Sequence, residues 1–201
     1  MLINILHITS SDKGQNSITT KLGKAIINKI KLQQVDEVNI VELDLLLDPF
    51  PHFSSLQWKA YHTPVHKLTP DQAQTAHRSD QAIRQLHAAD ILVVSVPMHN
   101  YGIPSALKSY FDHIVRAGVT FGFSETGSVG IFENKKAYIA FSAGWDFSDP
   151  SLKSLDFATP YLKAVLELVG FEVVREFRVE GAIGAHAKDV RLKQVIRSII
   201  I

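Results

Sequence analysis

Met98-His99-Asn100-Tyr101 puts a thioether, an imidazole, an amide and a phenol on four successive residues, a set that suits a flat, partly polar ring. Ser142-Ala143-Gly144-Trp145 adds a second flat side chain next to a glycine, where backbone can approach a ligand closely. Ser10-Ser11 and Ser17-Ile18-Thr19 supply small hydroxyls. At a helix start such hydroxyls either cap free backbone N–H groups or help those groups hold a phosphate, and the residue types alone leave both open.

The flanking elements predict how these stretches are presented. Ile91 to Pro97 is a nearly unbroken apolar run, the pattern of a strand buried on both faces of a parallel sheet. Pro97 ends it, and Pro104 fits the first turn of a helix running to about Val115. Leu2 to Ile8 is a shorter apolar segment; after the hydroxyl-rich loop, Leu22, Ala25, Ile26 and Ile30 fall at helical spacing. Val38 to Leu43 reads as a second strand, and Thr69-Pro70-Asp71-Gln72 opens a capped helix. Lys136 to Phe141 is a fourth strand that runs into Ser142 to Trp145. A helix from about Ser151 to Val169, a strand from Glu172 to Val179, the linker Glu180 to Gly184 and a last helix complete the chain. Five strands alternating with helices predict an α/β fold, a doubly wound five-stranded parallel sheet with helices on both faces. The three loops then emerge at one edge of the sheet, where such folds bind ligands. No repeat or second domain is marked, so residues 1–201 read as one domain.

Two segments fall outside this alternation. Asp48 to Lys67 is rich in aromatics, His and Pro, reads as irregular, and is long enough to cover a site or join an interface. Arg116 to Gly127 alternates and is punctuated by Gly, like a small hairpin or lid. Phe121 and Phe123, with Phe50, Phe53, Trp58 and Tyr61, are candidates either for walls of a flat substrate pocket or for core and interface packing.

Composition removes several function classes. With 21 basic and 20 acidic residues, a net charge of +1 and no basic run longer than two, nucleic acid or an anionic membrane is not the expected partner. No cysteine means no disulfide, no thiolate metal site and no redox thiol, so any redox work needs a bound cofactor. No secretory signal or membrane span is read at the amino terminus or elsewhere, and a cytoplasmic location is expected. The chain lacks the G-x-G-x-x-G and G-x-x-x-x-G-K-[ST] phosphate motifs and the G-x-S-x-G elbow. His62 and His66 are four apart, but Pro64 lies between them and no carboxylate completes a set; no metal is expected. What remains is a mononucleotide whose phosphate is met by hydroxyls and N–H groups instead of Lys or Arg. Flavin mononucleotide (FMN) fits better than a magnesium nucleotide, because the loops offer no acidic metal ligands.

Taken together, Ser10-Ser11 with Ser17-Ile18-Thr19, Pro97 to Tyr101, Leu107 to Asp112, Arg116 to Phe121, Ser142-Ala143-Gly144 and Thr159 to Leu162 resemble the FMN-dependent NADH:quinone oxidoreductase and azoreductase family, in the same order along almost the whole chain. The resemblance implies a flavodoxin-like fold and a homodimer with FMN near the subunit interface. It implies that Ser11, Ser17, Ile18 and Thr19 surround the phosphate and ribityl chain, that Met98, His99, Asn100 and Tyr101 lie along the isoalloxazine ring, and that Ser142, Ala143, Gly144 and Trp145 lie on its far edge. It also implies ping-pong transfer of two electrons from NADH or NADPH to quinones, and reductive cleavage of aromatic azo compounds. No residue is then an obligatory acid; Asn100 and Gly144 tune the flavin, and Tyr101 and Phe121 belong to the substrate pocket. The family loops commonly read Met-Tyr-Asn-Phe and Ser-Arg-Gly-Gly, so His99, Tyr101, Ala143 and Trp145 are departures that bear on substrate range. Competing readings are an FMN-binding electron carrier, which would be expected to be strongly acidic, and a regulatory flavoprotein without a substrate site.

Overall fold

A computed structural model describes residues 2–181 and 184–201. The chain runs β1 (Ile3–Thr9), α1 (Ile18–Gln33), β2 (Val38–Asp44), α2 (Ser55–His62), α3 (Pro70–Ala88), β3 (Ile91–Pro97), α4 (Ser105–Ile114), β4 (Phe121–Ser124), β5 (Gly127–Gly130), β6 (Lys135–Ser142), α5 (Ala158–Val169), β7 (Phe171–Val179) and α6 (Ala185–Arg197). The strands β2-β1-β3-β6-β7 form one sheet in that order, every neighbouring pair parallel. This is the doubly wound arrangement expected from the alternation. Because β1 connects outward to β2 on one side while β3 lies on its other side, the order reverses between β1 and β3, the place where such sheets open a ligand crevice.

Each strand sends alternate residues to opposite faces. Leu6, Ile8, Leu92, Val94, Val96, Ile139 and Phe141 pack with side chains of α3, α4 and α5 on one face. Ile5, Ile91, Val93, Tyr138, Ala140 and Phe177 pack with Leu22, Ile26, Ile27 and Ile30 of α1 and Leu192 of α6 on the other. Six of the seven residues of β3 are buried, which explains its unbroken apolar run. The strand register brings the ends level: Thr9 pairs with Ser95, Pro97 with Ser142, and Ser142 with Val179. The loops after β1, β3 and β6 therefore start side by side.

Gly23 lets α1 lie close against the sheet. A Cβ there would collide with Ser95 Oγ and His7 Nε2, two buried atoms that are 2.9 Å apart and hydrogen-bonded. Gly23→Ala is expected to destabilise the protein by about 2 kcal/mol through overpacking of that pair. Chemical denaturation checks this; an unchanged midpoint would mean that α1 shifts without penalty.

Three expectations change. The segment from Asp48 to Lys67 is not wholly irregular: Ser54 caps α2 in a reciprocal box with Gln57, and a 3-10 turn spans Val65–Lys67. Its pattern hid because only Gln57 and Ala60 of that short helix are buried, too few to show a period. The helix read from Ser151 begins at Ala158: Asp149 holds Ser151 in a turn, a 3-10 segment spans Lys153–Leu155, and Asp156 accepts the Thr159 N–H in the first turn of α5. The hairpin does form, β4 against β5, but is offset to pair Phe121 with Gly130 and Ser124 with Gly127. In the linker after β7, Ala182 and Ile183 lie outside the described residues.

Candidate functional site

The loop after β1 reaches α1 through a 3-10 turn, Gly14–Asn16. Ser17 occupies the cap position of α1 with extended backbone, yet its side chain makes no capping bond. Its Oγ pairs instead with Thr19 Oγ1 at 2.9 Å. The N–H groups of Ile18, Thr19 and Thr20 consequently find no acceptor among the described residues, although Thr19 and Thr20 are buried. Buried unpaired N–H groups are rare, and at a helix start they favour an anion. The Ser17 side chain therefore does not cap α1 in this structure. Ser10 is turned inward and donates to the Ser95 carbonyl oxygen at 3.2 Å, whereas Ser11 Oγ accepts from the Lys13 N–H at 3.3 Å.

After β3 the chain makes a tight turn in which His99 N–H donates to the Gly102 oxygen and Gly102 N–H to the His99 oxygen, both at 2.9 Å. Its central residues, Asn100 and Tyr101, sit at φ +49° and +66°, in the left-handed region. Asn tolerates that region; for Tyr it is uncommon, and such strain concentrates at functional sites. The N–H of Met98 donates to the Ser142 oxygen at 2.8 Å, tying this loop to the next. The N–H of Ala143 in turn donates to the Val179 oxygen at 3.1 Å, while the N–H groups of Asn100 and Gly144 have no acceptor among the described residues.

These loops enclose two adjoining clefts. A polar one of about 200 Å³ is lined by Ser11, Asp12, Lys13, Ser17, Ile18, Met98, His99, Ser142, Ala143, Gly144 and Lys188, with Pro97 and Val179 at its floor. A second, of about 270 Å³, is lined by Met98, Asn100, Tyr101, Gly144, Trp145 and Phe147. They share Met98 and Gly144, and a Cβ on Gly144 would meet no atom within 4 Å, so the passage between them is open. One end offers hydroxyls, free N–H groups, two ammonium groups and the Asp12 carboxylate; the other offers flat aromatic walls. Tyr101 stands edge-on to Phe147 at 6.3 Å, and Trp145 is 63% exposed.

The side chains sort differently from expectation. His99, Ser142 and Ala143 line the polar cleft, whereas Asn100, Tyr101 and Trp145 line the aromatic one. Thr19 lines neither; it is fully buried and braces Ser17 from behind. Lys13 and Lys188 put cations where only hydroxyls and N–H groups were expected, and neither ammonium has a partner among the described residues. Asp12, Lys13, Phe147 and Lys188 were missed. Phe147 stands two residues past a loop already rich in ring-like side chains, so a signal existed; Lys188 comes from α6 and had none.

Phe121 does not line the cleft that Tyr101 lines. With Phe53 and Tyr61 it lines a third cleft, about 600 Å³, that also includes His62, Lys108, Asp112, Val115, Arg116 and Ala117. Behind it, buried His113 holds Gln57, the Tyr61 hydroxyl at 3.0 Å and the Pro51 carbonyl oxygen at 3.0 Å. Burial lowers the His113 pKa. Phe50 is buried against Tyr110 and His113 and so belongs to the core, while Trp58 stacks on His62 at the surface. Among the described residues no three His, Asp or Glu side chains converge on a metal position, and no helix is long and apolar enough to cross a membrane.

Residues 3–200 match the protein family described as "Flavodoxin-like fold". The chain is 37% identical over 199 residues to the FMN-dependent NADH:quinone oxidoreductase of Herminiimonas arsenicoxydans, covering 98% of this chain and 97% of that protein. It is 38% identical over 189 residues to the enzyme of that name from a Marinomonas species, covering 94% and 93%. Among solved structures, an FMN-dependent NADH-azoreductase from Bacillus anthracis in complex with FMN superposes with a TM-score of 0.84 at 24% identity, covering 98% of this chain and 97% of that one, which shows the shared fold. The chain belongs to the flavodoxin-like family of FMN-dependent NADH:quinone oxidoreductases.

Proposed function

We propose that this protein is an FMN-dependent oxidoreductase that takes two electrons from NADH and passes them to quinones, and that it cleaves aromatic azo compounds by the same chemistry. The observation that carries this reading is the paired cleft: the unpartnered N–H of Ile18 with the hydroxyl-bearing Ser11 and Ser17 at one end, flat aromatic walls at the other, and open backbone at Gly144 between them. A phosphate, a polyol chain and a flat ring have that sequence of chemistry. The identity with the named relatives spans nearly every residue of both chains.

FMN in this cleft supplies two-electron chemistry with NADH and then with the acceptor, in turn. The protein binds, orients and shields. Ser11, Ser17 and the start of α1 hold the phosphate, and Lys13 and Lys188 add positive charge to a dianion that neutral donors would otherwise meet alone. Met98, Asn100, Tyr101, Gly144 and Trp145, which line the second cleft, would flank the ring. The free N–H groups of Asn100 and Gly144 are fixed dipoles that would be available to negative charge on a bound ring. No side chain need act as an obligatory acid. NADPH in place of NADH is compatible with the same arrangement.

The same reading makes the protein a cytoplasmic homodimer, NADH being a cytoplasmic donor. The hairpin β4–β5 raises Phe123, 75% exposed, beside Phe121 at the third cleft, and Phe53 and Trp58 are also exposed there. These exposed aromatic side chains are the surface that the homodimer reading assigns to a second copy.

A purified, dialysed sample examined by absorbance tests the function. Flavin bands near one per chain are expected to bleach with NADH and return on addition of a small benzoquinone. A bound flavin that NADH does not bleach would leave only a carrier or binding protein, and a chain that cannot be loaded with FMN would end the cleft assignment.

A further inference from the structure

We propose that the ion cluster around Arg178 is a positioning device for Tyr101, acting through Asp156 and Phe157. This rests on the reading above, in which Tyr101 forms a wall of the ring and acceptor cleft.

Arg178 of β7 carries only 22% of its side-chain exposure and faces three carboxylates. Its Nη2 lies 2.8 Å from Asp156 Oδ2 and 2.7 Å from Glu180 Oε1; its Nη1 donates to Glu176 Oε1 at 2.9 Å and Thr159 Oγ1 at 2.7 Å. The guanidinium lies 4.5 Å above the Phe141 ring, in the strand that ends at Ser142. A planar fork with five donors can hold several partners at once, which a lysine cannot. Glu176 is shared with Lys163 at 2.8 Å, so Asp156 and Glu180 are the acids that depend on Arg178 alone.

Asp156 links this cluster to the ring cleft. Its Oδ1 accepts the Thr159 N–H at 3.0 Å and so fixes the first turn of α5, while its Oδ2 is held by Arg178. The next residue, Phe157, donates its N–H to the Tyr101 carbonyl oxygen at 3.1 Å. Among the described residues this is the one backbone hydrogen bond that reaches Tyr101 from outside its own turn. Two successive L-residues at positive φ cost on the order of 1 kcal/mol or more each, and such a turn persists only where its surroundings over-determine it. With Phe157 held, the Tyr101 ring stays edge-on to Phe147. With Phe157 released, Tyr101 can relax toward negative φ and the wall of the cleft turns away.

Asp156→Asn tests this. The amide oxygen still accepts from Thr159, and Arg178 keeps Glu176 and Glu180, so the fold is retained while the charged link to Asp156 is lost. The expected result is roughly tenfold faster amide exchange at Phe157 and Gly102, measured on the purified protein. KM for a bulky naphthoquinone rises about fivefold with kcat little changed. Tyr101→Ala raises the same KM to a similar degree, and combining the two adds little, because both act on one contact. Glu176→Gln, which removes a neighbouring carboxylate of the cluster but leaves Asp156 and its bond to Arg178 Nη2 in place, leaves exchange and KM as in the parent. Should Asp156→Asn not fold, Arg178→Lys is read at the same two amides with the same expectation. Unchanged exchange at Phe157 and Gly102, or KM effects that simply multiply in the double variant, would overturn the proposal. If the parent protein did not turn over quinone, the function would fail, and the exchange comparison would still decide whether Arg178 holds the turn.

Discussion

Ser17→Asp is expected to weaken FMN binding about 100-fold while leaving the flavin-free protein at least as stable as the parent. The two effects come from the same atoms. Ser17 stands at the cap of α1 without making a capping bond. Aspartate is among the best residues at that position, and its charge also suits the positive end of the helix, so the fold gains or stays even. The same carboxylate lies in the polar cleft beside Ser11, Ile18, Lys13 and Lys188. There it takes the N–H donors and repels the flavin phosphate. Two unit charges about 4 Å apart interact by about 4 kcal/mol at the effective dielectric near a protein surface, and screening brings this to the 100-fold stated. Fluorescence titration with FMN and with riboflavin reads the result. Riboflavin has no phosphate, so its affinity should change little, and the preference for FMN should collapse. Equal weakening of both flavins would mean that the phosphate does not lie at Ser17.

The second large effect is an acid instability set by His7. This residue of β1 is fully buried; its Nε2 meets Ser95 Oγ at 2.9 Å and its Nδ1 has no hydrogen-bond partner. Burial pushes its pKa down from 6.5 to about 4; Glu42, whose carboxylate is 3.9 Å away, opposes the shift, and Lys24 adds to it. The folded state thus prefers the neutral imidazole. Above pH 6.5 both states are neutral and the group has no effect. As pH falls from 6.5 to 4 the unfolded chain takes up a proton that the folded one does not, and stability is lost, by about 2 kcal/mol at pH 5 and about 3 kcal/mol at pH 4. For a chain of this size the loss at pH 5 is about 6 °C in Tm. Melting curves between pH 7 and 4.5 should show this decline in the parent and a much flatter one in His7→Gln. Carboxylates held low in the fold, such as Asp156, act mainly below pH 4 and leave this window clear. Equal slopes in both proteins would place the acid sensitivity elsewhere.

His7 also shows what a sequence conceals. Nothing in Ile3 to Thr9 tells that this one polar side chain is buried on the α1 face, because only the approach of Gly23 brings α1 over it. The same limit governed the site. That Met98 to Tyr101 and Ser142 to Trp145 stand together was legible, since strands buried on both faces read as apolar runs and their register brings the loop starts level. Which of those side chains faces which cleft was not. Asn100 and Tyr101 take left-handed backbone, and that turn separates His99 from its neighbours, a geometry that residue type does not declare.

Apolar runs, their spacing and the hydroxyls and rings between them determined the doubly wound sheet, the edge at which its ligand loops meet and the kind of molecule they suit, because these follow from local periodicity and the short range of loop chemistry. Tertiary structure alone decided the rest. Packing of α6 against the α1 face of the sheet carries Lys188 to a cleft built at the other end of the chain. The Asn100-Tyr101 turn divides the polar end of the site from the aromatic one, and the offset hairpin keeps Phe121 in a cleft of its own. Each of these depends on contacts between residues far apart in sequence, which no local pattern records.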